Sequence, residues 1–142
     1  KTRGLGAGKA SDLKWVEASA RQVAAYAKNH TIVVEKSTIP VRTAEAIKAI
    51  LENSKRENQD KCSFSVLSNP EFLAEGTAIE DLQNPDRILI GGDDQNAIDS
   101  LKNIYLNWVP ENLVITTNLF SSFAKFILLS LSFTLKELNS CL

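Results

Sequence analysis

Four short apolar runs recur along the chain: Thr31-Ile32-Val33-Val34, Phe64-Ser65-Val66-Leu67, Arg87-Ile88-Leu89-Ile90 and Leu113-Val114-Ile115-Thr116. The first is too continuous to be half exposed, so it reads as a buried parallel strand. Helical patterns separate the runs. Residues 12–28 carry Leu13, Val16, Ala20, Val23, Ala24 and Ala27 at helical spacing, with Ser11 or Asp12 placed to cap the start. Pro40 suits the first turn of a second helix, whose inner face is Val41, Ala44, Ile47 and Leu51. Residues 53–61 are polar and charged and read as a surface loop, and residues 94–107 place Ile98, Leu101, Ile104 and Tyr105 on a third helix. Such alternation predicts an α/β fold: a doubly wound sheet of about four mainly parallel strands with flanking helices.

Ligands of such sheets sit at the carboxyl ends of the strands. Three strands end in polar or glycine-rich segments, Lys36-Ser37-Thr38, Asn69 through Glu75, and Gly91-Gly92-Asp93, and these are expected to converge. The middle segment, Ser68-Asn69-Pro70-Glu71-Phe72-Leu73-Ala74-Glu75-Gly76-Thr77-Ala78, sets two carboxylates four residues apart. If it is helical, Glu71 and Glu75 share one face. A buried glutamate with raised pKa can serve as general acid or base while a neighbour stays ionised to orient a ligand. On spacing alone the plainer reading is favoured, in which Pro70 opens a helix and the first acid complements its dipole. Thr38 offers a hydroxyl at a strand end, suited to a cofactor amide or a substrate oxygen. Capping of the next helix by Ser37 and Thr38 explains those residues equally well.

Composition narrows the function classes. Hydrophobic residues make up 44% and charged residues 23% of 142, ordinary for a soluble globular protein of one domain or part of one. A net charge of −1 argues against general affinity for nucleic acid or anionic membranes. Cys62 and Cys141 lack metal-ligand spacing and cannot make a disulfide framework, so a reducing cytoplasm fits. His30 is the single histidine, which excludes a multi-histidine metal site and favours a structural role. Gly4-Leu5-Gly6-Ala7-Gly8-Lys9 fits neither the dinucleotide fingerprint nor a P-loop, because Lys9 and Arg3 stand where glycine is needed. It reads as a surface loop, and the polar start is not expected to be a signal peptide. Residues 126–133 are apolar on all sides yet too short for a membrane span.

Several strings together resemble the UDP-glucose 6-dehydrogenases, of the kind found in animals. They are Gly6 through Leu13, Val34 through Arg42, Val66 through Ala78, Asn84 through Gly92, and Trp108-Val109-Pro110 with Thr116-Thr117-Asn118. The resemblance implies a partial Rossmann-like sheet. Residues 1–118 correspond to the second half of the family's N-terminal NAD-binding domain, and residues 119–142 to the start of its central helix, here an apolar helix of aberrant sequence. The family oxidises UDP-glucose to UDP-glucuronate in two hydride transfers to NAD, through a thioester on an essential cysteine. By resemblance Glu71 is the general acid/base near that thioester. Glu71, Phe72, Leu73, Ala74 and Glu75 line the sugar nucleotide, while Ser37, Thr38, Ile39 and Glu75 meet the NAD. No metal is implied. A related enzyme acting on UDP-mannose-type substrates is a weaker alternative.

The departures bear on activity. Neither cysteine stands in the family's nucleophile motif, and the glycine-rich pyrophosphate turn lies outside these 142 residues. Lys125 aligns with the family's catalytic lysine only through a one-residue deletion. The isolated chain is therefore expected to be inactive. A non-catalytic fragment that associates with full-length subunits is the alternative. The family is homo-oligomeric through its central helices, which this chain's tail does not reproduce.

Overall fold

The computed structural model describes residues 13–37, 43–58, 62–73 and 76–119. The element order is α1 (Lys14–Tyr26), β1 (Thr31–Glu35), α2 (Thr43–Asn58), β2 (Phe64–Ser68), α3 (Ala78–Gln83), β3 (Ile88–Gly92), α4 (Gln95–Tyr105), a short 3-10 turn (Glu111–Leu113) and β4 (Val114–Thr117). All four predicted strands form. They make one sheet in the order β1-β2-β3-β4, and helices cover both faces, as a doubly wound α/β fold requires.

The sheet is built from two parallel pairs. β1 runs parallel to β2 from Thr31↔Phe64 to Glu35↔Ser68, and β3 runs parallel to β4 from Ile88↔Val114 to Gly91↔Thr117. Each pair is joined by its crossover helix, α2 or α4. The pairs meet antiparallel, in the register Leu67↔Gly92 and Ser68↔Gly91. This corrects the expectation that three strand ends converge. The ends of β1 and β2 share one edge of the sheet with the starts of β3 and β4, whereas Gly92 and Asp93 leave toward the opposite edge.

Side-chain alternation divides the core. Ile32, Val34, Leu67, Ile88 and Ile90 face α4, where they pack with Ala97, Ile98, Tyr105 and Val109. Val33, Phe64 and Val66 face the other way, onto Val16, Ala20 and Val23 of α1 and Ala44, Ile47 and Leu51 of α2. By the same alternation Lys36 emerges on the α4 side, and Glu35 on the α1–α2 side.

Three local expectations change. Helix α2 continues through Asn58, across part of the stretch read as a loop. Glu52 and the Lys, Arg and Glu at 55–57 are good helix formers, and their lack of an apolar stripe hid the extension. Residue 71 and its neighbours 72 and 73 are not helical, and a helix begins only at Ala78. Gly76 precedes it at φ 93°, a left-handed conformation suited to glycine. The start of α1 is flanked by Leu13, with no side-chain cap, and Ser11, Asp12, Pro40 and the Gly4–Lys9 run lie outside the described residues, as does the apolar tail. Among the described residues no helix is long and apolar enough to cross a membrane.

Candidate functional site

The edge where β1 and β2 end carries a compact polar cluster. Asn69, 2% exposed, follows β2 directly. Its backbone N–H donates to the Glu35 carbonyl at 2.8 Å, extending the β1–β2 ladder by one bond. Its side-chain Nδ2 donates to the Leu89 carbonyl at 2.8 Å. That bond fixes the amide, so Oδ1 faces the tip of α4. There it accepts from the hydroxyl of buried Tyr105 at 2.6 Å and from Lys36 Nζ at 3.2 Å.

Lys36 is the hub. Its ammonium has three protons, and it meets three acceptors: Asn69 Oδ1, Tyr105 Oη at 3.1 Å and Glu71 Oε1 at 3.2 Å. Burial opposes the charge, but the hydrogen bonds and charges of Tyr105 and Glu71 outweigh it, so its pKa lies above the ordinary lysine value. The group is a fixed cation at neutral pH. Glu71 is more than a third exposed, so its carboxylate is held by Lys36 yet open to a ligand. Phe72, next in sequence, lies under the Arg87 guanidinium at 5.4 Å from the ring centroid.

Glu35 precedes the hub on the other face of β1. Burial pushes its pKa up to about 7, against the lowering influence of the Ser37 N–H and the Lys36 charge, and its buried Oε1 has no hydrogen-bond partner among the described residues.

Of the expected site residues, Ser37, Glu71, Phe72 and Leu73 fall on this edge, with Ser37 exposed directly after Lys36. Thr38, Ile39, Ala74 and Glu75 lie outside the described residues, as does Lys125. Sequence reasoning placed Lys36 and Asn69 in the polar segments at strand ends without giving either a role, and did not bring Tyr105 to the site. Tyr105 read as one more apolar helix position. The only available signal was the run of polar residues directly after two adjacent strands.

The opposite edge holds a second polar network. Asp94 caps α4, accepting from the N–H groups of Asn96 and Ala97. Ser65 donates to it, and this hydroxyl leads the influences that hold the Asp94 carboxyl below its usual range. His30 Nε2 lies 3.4 Å from Ser65 Oγ, and its Nδ1 lies 2.7 Å from Ser63 Oγ, the structural role expected for it. Asp93 pairs with Lys48 at 3.0 Å. Cys62 is free, and its thiol lies 2.9 Å from the Ala27 carbonyl oxygen. Among the described residues no group of His, Cys, Asp and Glu is placed to hold a metal.

Doubly wound α/β sheets bind their ligands where parallel strands end, and the Lys36–Glu71 pair stands at such an end. Residues 3–109 match the UDP-glucose/GDP-mannose dehydrogenase family, NAD binding domain. The chain belongs to this family. It is 57% identical over 126 residues to UDP-glucose 6-dehydrogenase 1 of Glycine max and 58% identical to UDP-glucose 6-dehydrogenase 5 of Oryza sativa subsp. japonica, each over 86% of this chain and 25% of the relative. It thus spans about a quarter of the length of these curated relatives. Among solved structures, a UDP-glucose dehydrogenase from Pyrobaculum islandicum matches with TM-score 0.70 and 34% identity, over 81% of this chain and 26% of that one. The GDP-mannose dehydrogenase of Pseudomonas aeruginosa shares the fold, with TM-score 0.76 over 96% of this chain and 31% of that one, at 23% identity.

Proposed function

We propose that this chain is part of an NAD-dependent UDP-glucose 6-dehydrogenase, which oxidises UDP-glucose to UDP-glucuronate in the cytoplasm. The observation that carries this reading is the 57% identity to the Glycine max enzyme across 126 residues. Residues 1–118 are assigned to the second half of the NAD-binding domain and residues 119–142 to the start of the central helix.

The donors at this edge fit the cofactor. Ser37 is exposed where a parallel strand ends, and a hydroxyl there suits the carboxamide of the nicotinamide end. Thr38, Ile39 and Glu75 are assigned to the same contact. When bound, NAD accepts the hydride from the sugar carbon. In the family's sequence of steps Glu71 takes a proton from the water that attacks the thioester, and the exposed carboxylate is open to such a water. Glu71, Phe72, Leu73, Ala74 and Glu75 are assigned to the sugar nucleotide, with Arg87 holding the Phe72 ring.

The test is a chimera in which this chain replaces the matched segment of the Glycine max enzyme. Oxidation of UDP-glucose by the chimera supports the reading. Glu71→Gln in it is expected to lower turnover by about 10²–10⁴-fold with NAD binding nearly intact. Unchanged turnover would remove Glu71 from the chemistry. The alternative is a non-catalytic fragment that associates with full-length subunits, and the exposed Ile79, Leu82, Ile104 and Trp108 favour it. An inactive chimera, together with co-elution of the chain and the intact enzyme, would select that alternative.

A further inference from the structure

We infer that Lys36 is a positioning residue for Glu71, and that Asn69 and Tyr105 act on the same carboxylate at one remove by fixing Lys36. The inference rests on the reading of Glu71 as acid/base only for its consequence in catalysis, because the positioning itself stands on geometry.

Order passes from the core outward. Asn69, 2% exposed, is held by the sheet at both its backbone and its side-chain N–H groups. Its side-chain acceptor, Oδ1, accepts a hydrogen bond from the hydroxyl of Tyr105, which is 6% exposed. With its O–H directed at Asn69, the Tyr105 oxygen has lone pairs free to accept from Lys36. Lys36 therefore reaches two buried acceptors already set in place, at 3.2 and 3.1 Å, and directs its third proton at Glu71 Oε1, 3.2 Å away. Residue 71 has no helix or strand to set its direction. A carboxylate on a bare loop would sample several rotamers, and a cation fixed at the strand end selects one. With all three protons engaged and its pKa above the usual range, Lys36 is not itself a base.

The Glu71 rotamer is read first, in this chain, from three-bond NMR couplings about χ1. Wild type is expected to show a single rotamer, K36M an averaged set, and Y105F partial averaging although Tyr105 makes no bond to Glu71. A Glu71 that stays in one rotamer in K36M would overturn the proposal. If K36M does not fold, Y105F alone decides, with unchanged couplings counting against it. In the chimera described above, K36M is expected to lower kcat roughly tenfold, and to add no loss when Glu71 is already Gln. Equal losses in both backgrounds would mean that Lys36 acts elsewhere. If E71Q proves silent, the role of Glu71 in the reaction fails while the couplings still judge the positioning.

Discussion

At the scale of single residues, Glu35 couples stability to pH. Its carboxyl is raised from 4.5 in a free chain to about 7 by burial, so the folded state holds the proton more tightly than the unfolded state. Its contribution to stability is therefore complete below pH 4.5 and declines as pH rises through 7. Glu35→Gln mimics the protonated form. It is expected to match wild type at pH 4 and exceed it at pH 8 by on the order of 1–2 kcal/mol, screening of a half-buried group being allowed for. Thermal unfolding at the two pH values checks this, and equal melting temperatures at pH 8 would count against it. Asn69→Ala strips partners from the Leu89 carbonyl, Tyr105 and Lys36 together, and a loss of about 2–3 kcal/mol is expected in urea unfolding. These residues differ in how far the sequence reveals them. Glu71 sits in a distinctive string that can be read directly. Lys36, Asn69 and Tyr105 come together only because β1, β2 and α4 place residues far apart in sequence at one corner, and no local pattern records that meeting.

At the scale of elements, the strands were legible because buried runs of branched residues leave few other solutions. Their relative direction was not. Ile88-Leu89-Ile90 reads the same whichever way it crosses the sheet, and its direction shows only in the antiparallel pairing with β2. The glycine that closes β3 shows what the reversal requires. A Cβ at Gly92 would run into Cδ2 of wholly buried Leu67, and it would lie 3.1 Å from Cγ1 of Ile98 in α4. Gly92→Ala is thus expected to destabilise by about 1–3 kcal/mol through overpacking. Leu67→Ala, which removes the group that would be struck, is expected to cost about 2–5 kcal/mol on its own. The two changes made together should cost less than their sum, because the first cavity receives the added methyl. Denaturant unfolding of the four species measures the coupling, and strict additivity would refute this account of the contact.

For the whole molecule, each parallel pair with its crossover helix is contiguous in sequence, residues 31–68 and 88–117, and the helices lie on opposite faces of the shared sheet. Among the described residues the two strand pairs share just the register pairs Leu67↔Gly92 and Ser68↔Gly91, while side-chain bonds such as Asn69 to Leu89 and Tyr105, and the packing of α4 against β2, tie the halves together beside that seam. This narrow seam has a kinetic consequence. Each half can gather its own contacts over short loops, whereas the seam must wait for the intervening segment to close. The barrier to folding is then crossed with the halves largely formed and the Leu67–Gly92 contact still open. A change at that contact should leave the refolding rate nearly constant and appear almost wholly as faster unfolding, giving a φ-value near zero. The strands at the seam are thus the last to join and the first to part.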